Sequence, residues 1–368
     1  MTRVNSKARK DNSNGDFDYP GDSIAICKTS AIDPLEGLNL SSRFRTVAVI
    51  TNGSSVPGLG DIGPLAALPL VEAKCRLINK MSDLTAMPLA INSSGADETI
   101  RLIDALSPSL GAVNLEAFGD AGALIIKRRV SEAGEIPIYL DSLDGLPVIC
   151  LAALHNALKV VEKKMTEVRI VIAGGAITGL ALVDFLRLAG ASDVVVCDRL
   201  GAIHRGRSGP TNWVKEELAS KTNPRQVKGS LPKVTSGSDV LILLSDASPP
   251  KEITQAMAPK AIILNFSSAT SNSLGGPLIY ASVKDVSFNL LTPALIFSGL
   301  LKGVLEAKAR QLNAPMKMAA AMALAHLVPE NCLSSNSIVP ALTKPNLVAA
   351  LSEAVAAAAA ASGASRLL

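Results

Sequence analysis

Apolar and polar positions along the chain switch repeatedly between two periods from residue 46 onward. Short β-branched or apolar runs of strand length fall at residues 46–51, 87–91, 112–115, 136–139, 169–173, 194–197, 240–244 and 261–266. Longer helical patterns lie between and after them: from about Pro64, then 97–106, 148–164, 180–188, 290–309, 315–326 and 346–362. The last is alanine-rich, and alanine is the best helix former, so it reads as a terminal helix and not a linker. Residues 53–63 hold Gly53, Gly58, Gly60 and Gly63, which cannot form a helix interior and predict a shaped loop. Residues 204–234 are polar and read as loop-rich. Strands alternating with helices predict an α/β fold with parallel sheets, with function at the loops that follow the strands. A charged connector at 163–167 divides the chain. The expected parts are a basic tail at 1–15, an N-terminal α/β domain at 16–163, a second α/β domain at 164–330 and a helical segment at 331–368.

The second part opens on strand, glycine turn, helix and strand. The turn is Gly174, Gly175, Ala176, Ile177, Thr178 and Gly179, and the second strand ends on Asp198. Such a turn brings backbone N–H groups and a helix N-terminus to a pyrophosphate, and an acid after the second strand binds a ribose hydroxyl. The unit therefore predicts a Rossmann-like dinucleotide site, although Ala176 stands where the pattern's second glycine allows closest approach. An α/β unit that packs without holding a nucleotide is the alternative. Asp198 favours NAD over NADP, because a carboxylate accepts from a 2′-hydroxyl and repels a 2′-phosphate.

With 368 residues the chain can form two ordinary domains, and 18% charged against 48% hydrophobic residues is a globular balance. The net charge of +4 is modest, and Arg3, Lys7, Arg9 and Lys10 concentrate it in the tail, which is expected to be disordered. No basic, aromatic-studded stripe points to nucleic acid. Cys27, Cys75, Cys150, Cys197 and Cys332 lack paired spacing and mostly sit in apolar segments, as reduced core residues of a cytoplasmic protein would. The most apolar runs, 290–301 and 356–361, are too short to span a bilayer, and no signal sequence is read at the N-terminus.

Several stretches resemble the malic enzyme family, in its short bacterial form, over nearly the whole chain. They are VAVITNGSSVPGLGDIGPLAALPLVEAK, VVVCDRLGAIHRGR and the region from Ala319 to Arg366. The resemblance implies oxidation of malate or a related 2-hydroxy acid with NAD(P), with a lysine base, a tyrosine acid, a supporting aspartate and a divalent metal on three carboxylates. Carried over, the base is Lys74, the acid Tyr19 and the support Asp141. Burial is expected to lower the Lys74 pKa towards neutrality.

The same resemblance exposes departures. Of the family's E-D pair only Glu116 remains, followed by Ala117, and the second aspartate of its H-D-D-Q-H-G loop is Ser142. Hard cations take oxygen ligands and normally more than one carboxylate, so no divalent metal is expected. Asp120 and Asp144 read as solvated loop acids rather than replacement ligands. The family's A-N-P turn is Phe266-Ser267-Ser268, and its substrate-contacting N-N pair falls on Thr292 and Pro293. The expected cofactor contacts are therefore the glycine turn, Asp198, Arg199, Ser245 and Ser267, and the expected substrate contacts are Glu116, Ser142 and Thr292. His155 and His326 read as packed or surface residues. The leading expectation is an NAD(P)-dependent, metal-independent oxidoreductase and homodimer acting on a small organic acid, with or without decarboxylation. The alternatives are a redox-neutral decarboxylase, lyase or isomerase using Lys74 and Tyr19, and a non-catalytic paralogue.

Overall fold

The computed structural model describes residues 21–93, 95–134, 136–174, 176–209, 211–244, 251–267, 279–284 and 289–366. Tyr19, Gly175 and Ser245 lie outside them. The chain divides into two compact units, Met1–Phe44 and Arg45–Leu368. In the first, helix α1 (Gly21–Ile32) is followed by α2 (Pro34–Leu40), whose opening turn is tied by the Asp33 carboxylate accepting from the Glu36 N–H at 3.1 Å.

The second unit carries two sheets. The first contains β1 (Thr46–Thr51), β2 (Thr85–Ala90), β3 (Ala112–Leu115) and β4 (Ile138–Tyr139) in the order β2-β1-β3-β4, all parallel. Its strands are linked by α3 (Gly63–Met81), α4 (Ala96–Leu106) and α5 (Asp120–Ala133), and it leads into α6 (Leu146–Val161). Every residue of β1 is buried, as an inner parallel strand requires, so its run TVAVIT is continuous rather than alternating. The chain leaves β1 for β2 on one side and later returns to β3 on the other. Ligands bind at such a switch point, and the loops after β1 and β3 are stitched together there: Ser55 N–H donates to the Ala117 carbonyl at 2.9 Å and Gly119 N–H to Ser54 Oγ at 3.0 Å.

The second sheet contains β5 (Arg169–Ala173), β6 (Asp193–Asp198), β7 (Gly201–Ala202), β8 (Val240–Leu243), β9 (Ile262–Asn265) and β10 (Ile279–Ser282). Its order is β10-β9-β8-β5-β6-β7, parallel except for the short β7. Helix α7 (Ala176–Leu188) follows β5, and its Ile177 and Ala181 rest on the hydrophobic core beside the first sheet. The switch point of this sheet is at β5 and β8, so the glycine turn leaves β5 where a doubly wound sheet binds its ligand.

Three expectations are corrected. Residues 204–234 are loop-rich as expected but not loop throughout: α8 (Trp213–Lys221) lies within them and the short α9 (Leu231–Thr235) begins there. Helix α8 starts where the Asn212 side chain accepts from the Lys215 N–H at 3.0 Å. The helix expected at 290–309 is shorter. Beyond α10 (Lys251–Gln255), a tight turn at Pro293–Leu295 precedes α11 (Phe297–Glu306), because Pro293 pushes the residue before it into an extended conformation. Finally, Cys75, Cys150 and Cys197 are buried but Cys27 and Cys332 are exposed; all five are free thiols. Helix α13 (Leu347–Ala361) packs on both α11 and α12 (Ala314–His326), and α12 packs on α6, which closes the unit.

Candidate active site

Helix α3 buries a stripe of Ala67, Val71, Lys74, Cys75 and Ile78, spaced as one helical face. Lys74 is thus a lysine on an apolar stripe, 7% exposed. Two carboxylates converge on it from different elements. Glu116 is the first residue after β3, where its own N–H continues the ladder by donating to Ile50 O at 2.8 Å. Asp141 opens a wide π-type turn, Asp141–Gly145, directly after β4. Lys74 Nζ donates to Glu116 Oε2 and Asp141 Oδ2, each at 2.5 Å. The ammonium also lies 5.6 Å from the Tyr139 ring centre and 5.3 Å from that of Phe297, within cation–π range.

The electrostatics overturn the expected sign at Lys74. Burial pulls its pKa down, but the charges of Asp141 and Glu116 outweigh burial and hold the ammonium above its ordinary value. Lys74 rests as a cation, not as a free amine poised near neutrality. Glu116 is raised, first by burial and further by the Asp141 charge, against the opposing pull of Lys74.

Tyr139 is the member of the site that the sequence reading missed. It is buried at the end of β4, and its hydroxyl donates to Asp141 Oδ1 at 2.7 Å. Burial first, then the Asp141 charge, keeps the phenol protonated far above its ordinary value. An aromatic residue two positions before a candidate catalytic aspartate was the available signal.

Asp144 corrects a second expectation: it is 0% exposed, not solvated. Lys127 Nζ donates to its Oδ2 at 2.7 Å and Lys317 Nζ to its Oδ1 at 3.3 Å, while the Leu140 N–H donates to Oδ2 at 3.0 Å. Burial raises this carboxyl, but the two lysines outweigh it and leave the pKa depressed. Asp120 is exposed at the first residue of α5, as expected.

The donor set suits a hard divalent cation poorly. Ala117 offers no ligating side-chain atom, and it retains a left-handed φ of 53°, a backbone region that aspartate tolerates better than alanine. Ser142 is a neutral, half-buried hydroxyl, and Glu116, the one carboxylate left of the three, holds the Lys74 ammonium together with Asp141. Among the described residues no group of three or more His, Cys, Asp or Glu side chains is arranged to hold a metal ion.

The nucleotide turn fits its expected role in part. Gly174 has a φ of 91°, and a Cβ on Gly179 would lie 3.3 Å from the Gly174 carbonyl oxygen, so the first and third glycines allow the turn and the close packing of α7. Thr178 is buried and Ile177 half-buried at the start of α7. Asp198 does end β6, but its oxygens are engaged: Arg207 donates to both, at 2.8 and 2.7 Å, the Leu200 N–H donates at 2.9 Å, and Lys215 lies at 3.1 Å. Against the opposing effect of burial, these donors lower its pKa to about 2. Arg199 is exposed. Ser267 is turned back on Asn265, donating to its side-chain oxygen from both N–H and Oγ, at 2.9 and 2.7 Å. Thr292 accepts from the Ala294 N–H at 3.3 Å and so caps the turn before α11. No described contact joins Thr292, Ser142 or Ser267 to Lys74.

Comparison with known proteins agrees with this geometry. The family model for the malic enzyme N-terminal domain matches residues 35–101, which include Lys74. The NAD-dependent malic enzyme of Geobacillus stearothermophilus is 34% identical over 347 residues, spanning 93% of this chain and 72% of that protein. The bifunctional malic/malolactic enzyme of Bacillus subtilis strain 168 is 34% identical over 348 residues, 93% of this chain and 85% of that protein. The crystal structure of the NAD-dependent malic enzyme of Thermotoga maritima superposes with a TM-score of 0.86 at 30% identity, covering 92% of this chain and 91% of that one. The malic enzyme of Pyrococcus horikoshii gives a TM-score of 0.88 at 29% identity, covering 95% of this chain and 84% of that one. With identity of this level over 93% of its length, the chain belongs to the malic enzyme family.

Proposed function

We propose that the protein is an oxidoreductase of the malic enzyme type, moving hydride between NAD and malate or a related 2-hydroxy acid without a bound divalent metal. The observation that carries this reading is the buried Lys74 ammonium between Glu116 and Asp141, which already occupies the one remaining metal carboxylate, Glu116, and the supporting aspartate. NAD, when bound, supplies the hydride acceptor; the chain's own residues manage the proton and the charge. Lys74 takes the hydroxyl proton as the carbinol carbon loses its hydride, so the products are a 2-keto acid and a reprotonated ammonium. To act as that base Lys74 first gives up its own proton. That proton leaves to solvent, and because the two carboxylates hold the ammonium above its ordinary pKa the loss is unfavourable at neutral pH. In the reverse direction the ammonium donates to the keto oxygen and stabilises its developing charge.

Substrate chemistry is assigned to residues 16–163 and nucleotide binding to residues 164–330. The small-acid substrate, the homodimeric state and a cytoplasmic setting belong to the same proposal and rest on the family resemblance and the unpaired thiols. A redox-neutral decarboxylase is the second reading. It is favoured by the saturation of Asp198 and by Ala176 in the turn, and a relative named a bifunctional malic/malolactic enzyme lends it weight.

Isothermal titration of cofactor-stripped protein with NAD and NADP separates the two. NAD is expected to bind, and NADP more weakly when the ribose displaces Arg207 and Lys215 from Asp198; with both cations left on the carboxylate its charge is offset and the preference for NAD is lost. Binding of neither nucleotide would leave the redox-neutral reading.

A further inference from the structure

Tyr139 and Gly145 are a matched pair around Asp141. The Tyr139 hydroxyl holds Asp141 Oδ1, while the other oxygen, Oδ2, accepts from Lys74. Gly145 has φ −71° and ψ −52°, an ordinary right-handed helical conformation that any L residue adopts. Nothing in the φ and ψ of this position therefore requires glycine. The space requires it. A Cβ on Gly145 would lie 2.4 Å from the Tyr139 hydroxyl oxygen, 3.4 Å from Cζ and 3.5 Å from Asp141 Oδ1.

We propose that Tyr139 is a positioning residue for the reaction, acting through Asp141 by drawing the carboxylate's charge onto Oδ1 and away from Lys74, and that Gly145 is glycine to admit the phenol. The inference rests on the reading of Lys74 as base and Asp141 as its support. The hydroxyl takes a share of the negative charge that would otherwise fall on the ammonium alone. Without it Lys74 is held more tightly as a cation and is slower to become a base. Tyr139 is too deeply buried to meet substrate, so it acts only through Asp141.

The test is competitive acetylation of Lys74 with acetic anhydride across a pH series, read from the mass of its peptide, together with kcat and KM for L-malate and NAD. Four proteins are compared: wild type, Tyr139→Phe, Gly145→Ala and the double variant. Tyr139→Phe and Gly145→Ala are each expected to raise the pH at which Lys74 becomes reactive by about half to one unit, a roughly threefold to tenfold loss of free amine at fixed pH. The kcat is expected to fall by a similar factor with KM unchanged. The double variant should match Tyr139→Phe alone, because no hydroxyl remains for the new Cβ to meet. An unchanged or lowered Lys74 titration in Tyr139→Phe, or effects that add in the double variant, would overturn the proposal. Failure of the wild type to oxidise any 2-hydroxy acid would sink the functional reading instead, and the acetylation profile would still decide the role of Tyr139.

Discussion

Replacing Lys74 with alanine lowers turnover of a 2-hydroxy acid by about 10²–10⁴-fold, the usual contribution of a general base, while nucleotide affinity stays unchanged. The variant should fold, because Glu116 and Asp141, left facing each other, need only share a proton to relieve their repulsion. The pH dependence gives a second signature. Asp141 and Glu116 outweigh burial and hold Lys74 above its ordinary pKa, so at neutral pH only a small fraction is free amine. Oxidation by the wild type should therefore climb with pH, about tenfold per unit below that pKa, whereas reduction of the keto acid, which uses the ammonium, should be flat through neutrality. The alanine variant should lose both patterns. Steady-state rates in each direction from pH 6 to 10 check this, and a variant that retains turnover would remove Lys74 as the base. The sign for folding is consistent: a lysine with a raised pKa adds stability at pH values below its unfolded pKa and loses that contribution as pH climbs through the folded one.

Asp144→Asn is expected to be the most destabilising conservative change near the site. Asparagine keeps an oxygen for the Leu140 N–H but leaves Lys127 and Lys317 without their shared counter-charge. Breaking a buried pair by removing one partner costs about 3–5 kcal/mol, because the remaining charge stays desolvated. Removing the exposed partner of Arg129, with Asp97→Asn, should leave the denaturation midpoint nearly unchanged and serves as the control. Urea denaturation reads the Asp144→Asn loss as a lowered midpoint at unchanged slope. The Asp144 carboxyl is depressed on folding, so its contribution is present above the unfolded pKa and disappears as pH falls through the folded one. Wild type and Asp144→Asn should therefore converge in acid. Equal losses for Asp144→Asn and the control would contradict the buried cluster.

Lys74 and Asp141 were legible because the resemblance supplied their roles; the place of Lys74 on the apolar stripe of α3 came from the structure. The inner strands were equally readable: residues 46–51 and 112–115 are the bounds of β1 and β3, since inner parallel strands are short, apolar and flanked by turns, whereas the edge strands β7 and β10 were not read. The charge state of Lys74 was not legible. It depends on two carboxylates 42 and 67 residues away, whose convergence is set by the switch point between β1 and β3 and by the turn after β4. Asp144 was misread for the same reason, because its lysine partners stand on α5 and on α12, the latter 173 residues distant. Helix α8 was missed because its sequence, WVKEELASK, is mostly polar, and only Val214 and Leu218 are buried.

The central claim, hydride chemistry built around Lys74 without a divalent ion, is tested most directly by NAD reduction with L-malate and a panel of 2-hydroxy acids. The enzyme is first treated with EDTA, then assayed with and without added Mn²⁺. The expected result is turnover that survives the chelator and does not rise with Mn²⁺. Activity abolished by EDTA and restored by Mn²⁺ would mean that Glu116 and Asp141 release Lys74 to bind a metal, and would contradict the account.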